Sequence, residues 1–177
     1  ELIEHEPSDP KVVELADVLV QIGVHLEQYR QAHRQPDPYW REALRRDPGD
    51  VRCNNALGMW HFRRGEYAAA HALVSKAMGR LTHRNSNPYD GEFHYNLGLC
   101  LRALGRHSEA VDAFRKSAWD RGWQAPAYFA VALDDCRRGD FAAALNSLEQ
   151  SLRVNVEDLR ARDLKALVLR RLGRPAD

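Results

Sequence analysis

Asp134 and Asp135 stand side by side, and paired carboxylates could divide acid and base roles. On a helix, however, neighbours i and i+1 point to different faces, so these two cannot address one substrate atom. Cys53, Cys100 and Cys136 are odd in number, far apart and without a Cys-x-x-Cys pair, which gives a zinc site little support. They read as small buried hydrophobes, and their free state points to a reducing compartment, with the cytoplasm as the expected location. The eight histidines are scattered and form no His-Glu-x-x-His helix. His61 and His94 read as surface or core side chains. There is no Gly-x-Ser-x-Gly nucleophile turn and no phosphate-cradling glycine loop. The sequence therefore predicts no enzyme, no metal and no cofactor. What remains is recognition.

The elements that would carry recognition are marked by Gly65, Gly105, Gly139 and Gly173. Each follows an apolar run and a short polar or basic stretch. The last three are 34 residues apart and the first gap is 40. A fixed period of this length signals stacked helical pairs. Around each glycine small and large residues recur together. Leu57-Gly58 precedes Gly65, Ala70, Val74 and Ala77; Leu97-Gly98 precedes Gly105, Ala110, Phe114 and Ser117. Val131-Ala132 precedes Gly139, Ala144, Leu148 and Ser151, and Lys165-Ala166 precedes Gly173. Gly58, Gly98, Ala132 and Ala166 supply little bulk where two helices must cross closely, and Ala70, Ala110 and Ala144 do so on the facing helix. The four glycines at the helix junctions predict a left-handed residue that ends one helix at low steric cost.

These residues resemble the tetratricopeptide repeat family: Leu-Gly in the first helix, a turn Gly, then Ala with an apolar residue four positions on. The resemblance covers roughly residues 51–177 and implies an all-α, right-handed α-solenoid of helix-turn-helix units. A pentatricopeptide RNA-binding array has a similar period, but the paired small residues favour the tetratricopeptide pattern. The expected organisation is a long helix plus a degenerate unit over 1–50, serving as cap or domain joint. Complete repeats follow at 51–82, 91–124 and 125–158, then a single first helix at 159–177. Starting without Met and stopping after one helix of a repeat, the sequence reads as part of a longer chain. The stretches 39–44, 54–58 and 164–173 are similar to a bacterial family of multidomain proteins with an N-terminal β-rich domain of unassigned function.

Charge sets the partner class. Lysines and arginines number 26 against 25 acids, a net charge of +1, which argues against a general phosphate-tracking surface and hence against nucleic acid. Only Lys11, Lys76, Lys116 and Lys165 are lysines; the arginine excess reads as base composition. No stretch approaches a membrane span. A protein or peptide partner is expected, with self-association through the open C-terminal repeat as a further expectation.

The resemblance implies where that partner would sit. Family members line a concave groove with the second, fifth, ninth and twelfth positions of each first helix. Here these are Arg52, Asn55, Met59 and Phe62, then Glu92, Tyr95, Leu99 and Arg102. Pro126, Phe129, Leu133 and Cys136 follow, then Arg160, Asp163, Leu167 and Arg170. The face is apolar along its middle with arginines at its margins. It suits an extended or helical peptide with apolar anchors and some acidic character, or it packs on a neighbouring domain or second copy. The family's chaperone-tail clamp is not expected, because Asn55, Met59, Asn96, Pro126 and Ala130 match it only at Asn96. The alternative function is a structural or oligomerisation arm that positions a catalytic domain elsewhere, carbohydrate-related by the second resemblance.

Three segments depart from the repeat. Ser8-Asp9-Pro10 predicts a helix start, with an apolar pattern over 12–32 ended by Pro36 and Pro38. There Trp40 and Ala43 take the places of Val74 and Ala77. An insertion spans 82–90, with His83 and Tyr89 as its candidate contacts. Residues 119–129 replace the usual polar turn with an aromatic one. Trp119, Trp123 and Tyr128 either anchor a partner or fill a packing gap.

Overall fold

The computed structural model describes residues 9–29, 34–83, 85 and 90–174. Among these residues all regular structure is helical, and the chain divides into two compact units, 1–84 and 85–177.

The first unit holds α1 (Ala16–Tyr29), α2 (Asp37–Arg46), α3 (Val51–Arg63) and α4 (Tyr67–Leu81). Its core gathers Leu19, Val20 and Leu26 of α1, Tyr39, Trp40 and Ala43 of α2, and Cys53 and Leu57 of α3. Trp40 is completely buried and lies over Gly23. A Cβ on that glycine would come within 2.3–2.8 Å of the indole ring. Gly58 receives Val74 in the same way, at 2.7 Å from a Val74 methyl. Between α2 and α3 the sequence Asp47-Pro48-Gly49-Asp50 forms the predicted turn. Asp47 accepts from Gly49 N–H at 3.0 Å and from Arg80 at 2.7 Å. Asp50 then caps α3 by accepting from Cys53 N–H at 2.8 Å, which satisfies an otherwise orphaned donor.

The predicted helix start at Asp9-Pro10 is corrected: α1 begins at Ala16, and Ser8 lies outside the described residues. Only one turn forms at Asp9, whose carboxylate accepts from Lys11 N–H at 2.9 Å. The reason lies in α2. The Arg46 guanidinium donates to the carbonyls of Val13 (2.6 Å), Glu14 (2.9 Å) and Pro10 (3.4 Å), oxygens that a helix starting there would need for its own ladder. Arg46 is itself held by Glu42 at 2.9 Å, which also takes two bonds from Arg45. Residues 30–32, the predicted end of the helix, are outside the described set.

Those bonds, first from Arg45 and then from Arg46, hold the Glu42 carboxyl down at about 2 from an ordinary 4.5. A folded-state pKa below the unfolded one stabilises the fold above pH 4.5 and is lost as pH falls toward 2. In denaturant titrations Glu42→Gln is expected to be less stable than the wild type near neutrality. The gap between the two should narrow steadily below pH 4.5; a gap independent of pH would refute the linkage.

The second unit holds α5 (Glu92–Ala103), α6 (His107–Ser117), α7 (Arg121–Arg137), α8 (Phe141–Val154) and α9 (Leu159–Arg171). Phe114, fully buried, packs over Gly98, where a Cβ would stand 2.5–2.9 Å from the ring. Val111, Leu101 and Val131 complete that cluster; Ala132, Ala144, Leu148, Ala161 and Val168 build the next. The Ser151 hydroxyl donates to Ala125 C=O at 2.8 Å, inside the core.

Gly65, Gly105, Gly139 and Gly173 all take positive φ, between 72° and 78°. At each, the next residue's N–H reaches back to the carbonyl five residues earlier: Glu66 to His61, Arg106 to Leu101, Asp140 to Asp135, Arg174 to Leu169. This is the left-handed helix stop that satisfies the last carbonyls.

The predicted aromatic turn is also corrected. Arg121–Gln124 are not loop but the first turn of a lengthened α7. Asp120 makes this turn helical by accepting from Gly122 N–H at 2.9 Å, while its other oxygen accepts from Gly91 N–H at 3.0 Å. In the insertion, Thr82 closes α4 through a bond to Met78 C=O at 2.7 Å. His83 is exposed, and Tyr89 lies outside the described residues.

Candidate functional site

The candidate face is carried by the first helix of each pair, and each unit contributes its own part. In the first unit Arg52 is exposed on α3, and Asn55 is buried. Met59 and Phe62 are half-buried, Phe62 against Tyr67 with ring centres 5.3 Å apart. Arg52 is paired with Asp17 and lies 3.5 Å from Asp50, so its charge already has acids of its own unit beside it at the surface. These bonds, with Asp17 foremost, raise its pKa further.

In the second unit α5 brings Tyr95, Leu99 and Arg102 to the face. Tyr95 lies between Phe114 (5.4 Å) and Trp123 (5.1 Å), and burial pushes its hydroxyl above the usual tyrosine range. Trp123, brought by the extra turn of α7, therefore covers Tyr95 and packs. Trp119 instead stands 68% exposed, and Tyr128 is half-buried. Arg102 lies over the Phe114 ring at 5.2 Å and 3.9 Å from Asp134.

From α7, Phe129 is half-buried and Leu133 is 38% exposed. On α9, Arg160 lies over the Phe129 ring at 5.3 Å and bonds Asp158 at 3.4 Å. Asp163, Leu167 and Arg170 are exposed, Leu167 at 57%. Two apolar side chains, Leu133 and Leu167, thus meet solvent on the first-helix face. Three of the four candidate arginines already face acids within their own unit.

The adjacent carboxylates diverge as helix geometry requires. Asp134 Oδ1 lies 3.0 Å from His107 Nδ1, on α6. Asp135 instead accepts from Arg138 at 2.5 Å and from the Ser147 hydroxyl at 3.3 Å, on α8. Each ties α7 to a different neighbour. Burial raises the Cys53 thiol to about 12 and Cys100 to about 11, and lifts Cys136 in the same direction. Thiols so shifted are not nucleophiles. His94 is buried, and burial together with Lys116 lowers its pKa, favouring the neutral ring. No group of three or more potential metal-ligating side chains occurs among the described residues. None of the helices described is long and apolar enough to cross a membrane.

Sequence reasoning missed Gly23 as a helix-crossing residue, although it precedes Gly58 by 35 residues, close to the repeat period. The pairing of Arg46 with the segment before α1 had no local signal.

Helical pairs closed by left-handed glycines, with small residues at each crossing, define an all-α solenoid of the class that works as protein-interaction scaffolds. The tetratricopeptide repeat profile matches residues 75–126 and 130–177, more than half of the chain, and the chain belongs to the tetratricopeptide repeat family. Solved structures agree in fold. PilF of Pseudomonas aeruginosa is similar at 21% identity over 89% of this chain and 69% of its own, with a TM-score of 0.76. MamA of Desulfovibrio magneticus RS-1 is similar at 14% identity over 90% and 86%, with a TM-score of 0.73. Cut9, from the APC/C hetero-tetramer Cut9–Hcn1, is similar at 21% identity over 87% of this chain and 30% of its own, with a TM-score of 0.77.

Proposed function

We propose that the chain is a non-catalytic interaction module that holds a partner segment through the first-helix face of its second unit. The observation that carries this reading is the exposure of Leu133 on α7, one turn from half-buried Phe129 on the same helix, with Leu99 half-buried on α5. Apolar side chains held partly in solvent gain by being covered, at about 25 cal/mol per Å². Arg52, Arg102 and Arg160 are engaged with Asp17, Asp134 and Asp158, so they add little selection for acidic flanks. The partner is therefore an extended or helical peptide recognised chiefly by spaced apolar anchors. Protein rather than nucleic acid or membrane is the partner class, and the cytoplasm the proposed location.

A displayed random-peptide library selected on the 177-residue chain tests this. Peptides with apolar residues at helical or alternate spacing should be enriched, and their affinity should fall about tenfold or more on Leu133→Asp, the weight of one buried side chain. Circular dichroism would verify that the variant is folded. If nothing is enriched, or the selected peptides ignore Leu133→Asp, the reading fails and the structural-arm alternative takes its place.

A further inference from the structure

Arg102 is held differently from Arg52 and Arg160. Arg52 hydrogen-bonds Asp17, and Arg160 hydrogen-bonds Asp158. Arg102 Nη1 lies 3.9 Å from Asp134 Oδ2, too far for a hydrogen bond, and both atoms are buried without a hydrogen-bond partner among the described residues. Nη1 is the only nitrogen of the guanidinium enclosed in this way, and the side chain keeps 29% of its surface exposed. Nε and Nη2 therefore meet solvent with their donors unspent. Arg102 thus combines an ion pair with open hydrogen-bonding capacity.

Asp134 sets the charge of this place. It is 3% exposed, with Oδ1 at 3.0 Å from His107 Nδ1 on α6 and Oδ2 turned toward Arg102 on α5. A carboxylate so buried is costly unless a cation stands beside it, and Arg102 is the arginine within ion-pair range. The Phe114 ring, 5.2 Å from the guanidinium centre, steadies it from a second side. Arg102 is one turn on from Leu99 along α5, and its guanidinium reaches α7 at the residue that follows Leu133.

We infer, resting on the peptide reading, that Arg102 is a specificity-determining residue that donates to an uncharged amide oxygen of the partner, with Asp134 as its positioning residue. The oxygen is a backbone carbonyl or the side chain of Asn or Gln. An amide oxygen has two lone pairs and can accept from both open nitrogens. A partner carboxylate would surrender more hydration on entering and would meet the buried Asp134 charge behind the guanidinium, so the gain from Arg102 is cancelled. Asp134 acts through Arg102, by fixing it and offsetting its charge.

The test selects a displayed random-peptide library in parallel on the wild type, Asp134→Asn and Asp134→Asn/Arg102→Ala. Peptides from the wild type should show no gain of Asp or Glu over the starting library. Asp134→Asn keeps the side chain's size and releases the Arg102 charge. Its pool should be enriched in Asp and Glu, and those peptides should bind it about tenfold more tightly than they bind the wild type. The double variant should lose the enrichment. A merely structural role for Asp134 would weaken peptides of every kind and leave their acidic content unmoved. Circular dichroism verifies folding. Should Asp134→Asn unfold, Arg102→Ala decides the matter on its own: it should weaken the wild-type peptides about tenfold. An acidic wild-type pool, an unchanged pool on folded Asp134→Asn, enrichment that persists without Arg102, or full affinity in Arg102→Ala would each overturn the inference. If the wild-type peptides still depend on Leu133, the peptide reading survives that result. An empty wild-type pool overturns both.

Discussion

Phe114→Ala is expected to destabilise the second unit by about 3–5 kcal/mol, the range for emptying a buried aromatic site. Phe114 is fully buried, sits over Gly98 and touches Tyr95 across 5.4 Å. Its ring joins α6 to α5, and Trp123 of α7 continues the stack through Tyr95. The cavity cannot close easily, because Gly98 offers no side chain to move into it. Denaturant unfolding should show the transition at lower concentration with its slope preserved. A cost below about 1 kcal/mol would mean that Phe114 does not hold the pair together. The substitution should also loosen Tyr95 and Trp123, visible as a change in tryptophan emission.

Gly23→Val should destabilise the first unit by about 1–3 kcal/mol through overpacking, despite removing a helical glycine that by itself costs about 1 kcal/mol. The added Cβ would enter the space of the Trp40 ring, at 2.3–2.8 Å. Trp40 has nowhere to go: it is fully buried, and its indole N–H finds no acceptor among the described residues. The control is Trp40→Leu. In that background the cost of Gly23→Val should shrink, because the two sites are in contact and couple. Equal costs in both backgrounds would show that the clash is relieved elsewhere, and that α1 and α2 do not cross as the later pairs do.

These two residues mark what was legible in the sequence. Gly98 and Phe114 belong to a pattern repeated three times, so their positions could be read before any coordinates. The sequence pairs Gly98 with the small Ala110, however, whereas the ring of Phe114 is what lies closest to it. The four turn glycines were legible for a physical reason: a left-handed helix stop restricts the residue strongly. Gly23 was not recognised, because the sequence between α1 and α2 contains no glycine to mark a repeat and the leucine that precedes the helix-crossing glycines is Ile22 there. The late start of α1 depends on Arg46, some 30 residues away in sequence, and no local propensity contains it. Likewise α7 gains a turn because Asp120 caps it while holding Gly91, a tertiary choice made over an apparent loop.

For the face, spacing alone named the positions but not their state. Tyr95 and Phe129 hold the same place, the fifth, in successive first helices. Tyr95 packs against Trp123, which the added turn of α7 brings, whereas Phe129 has the Arg160 guanidinium over its ring. The arginines show the same limit. Arg102, Arg160 and Arg170 look alike in sequence, yet the first two are engaged and only Arg170 is outside every ion pair of the described residues.

The most direct test of the interaction account is amide NMR of the 177-residue chain titrated with a library-selected peptide. The account predicts shifts concentrated on α5 and α7 around Leu99, Phe129 and Leu133, with α6 and α8 nearly silent. Shifts centred instead on α6, on α8 or on the exposed Trp119 turn would contradict it, because the bound segment would then lie on another surface.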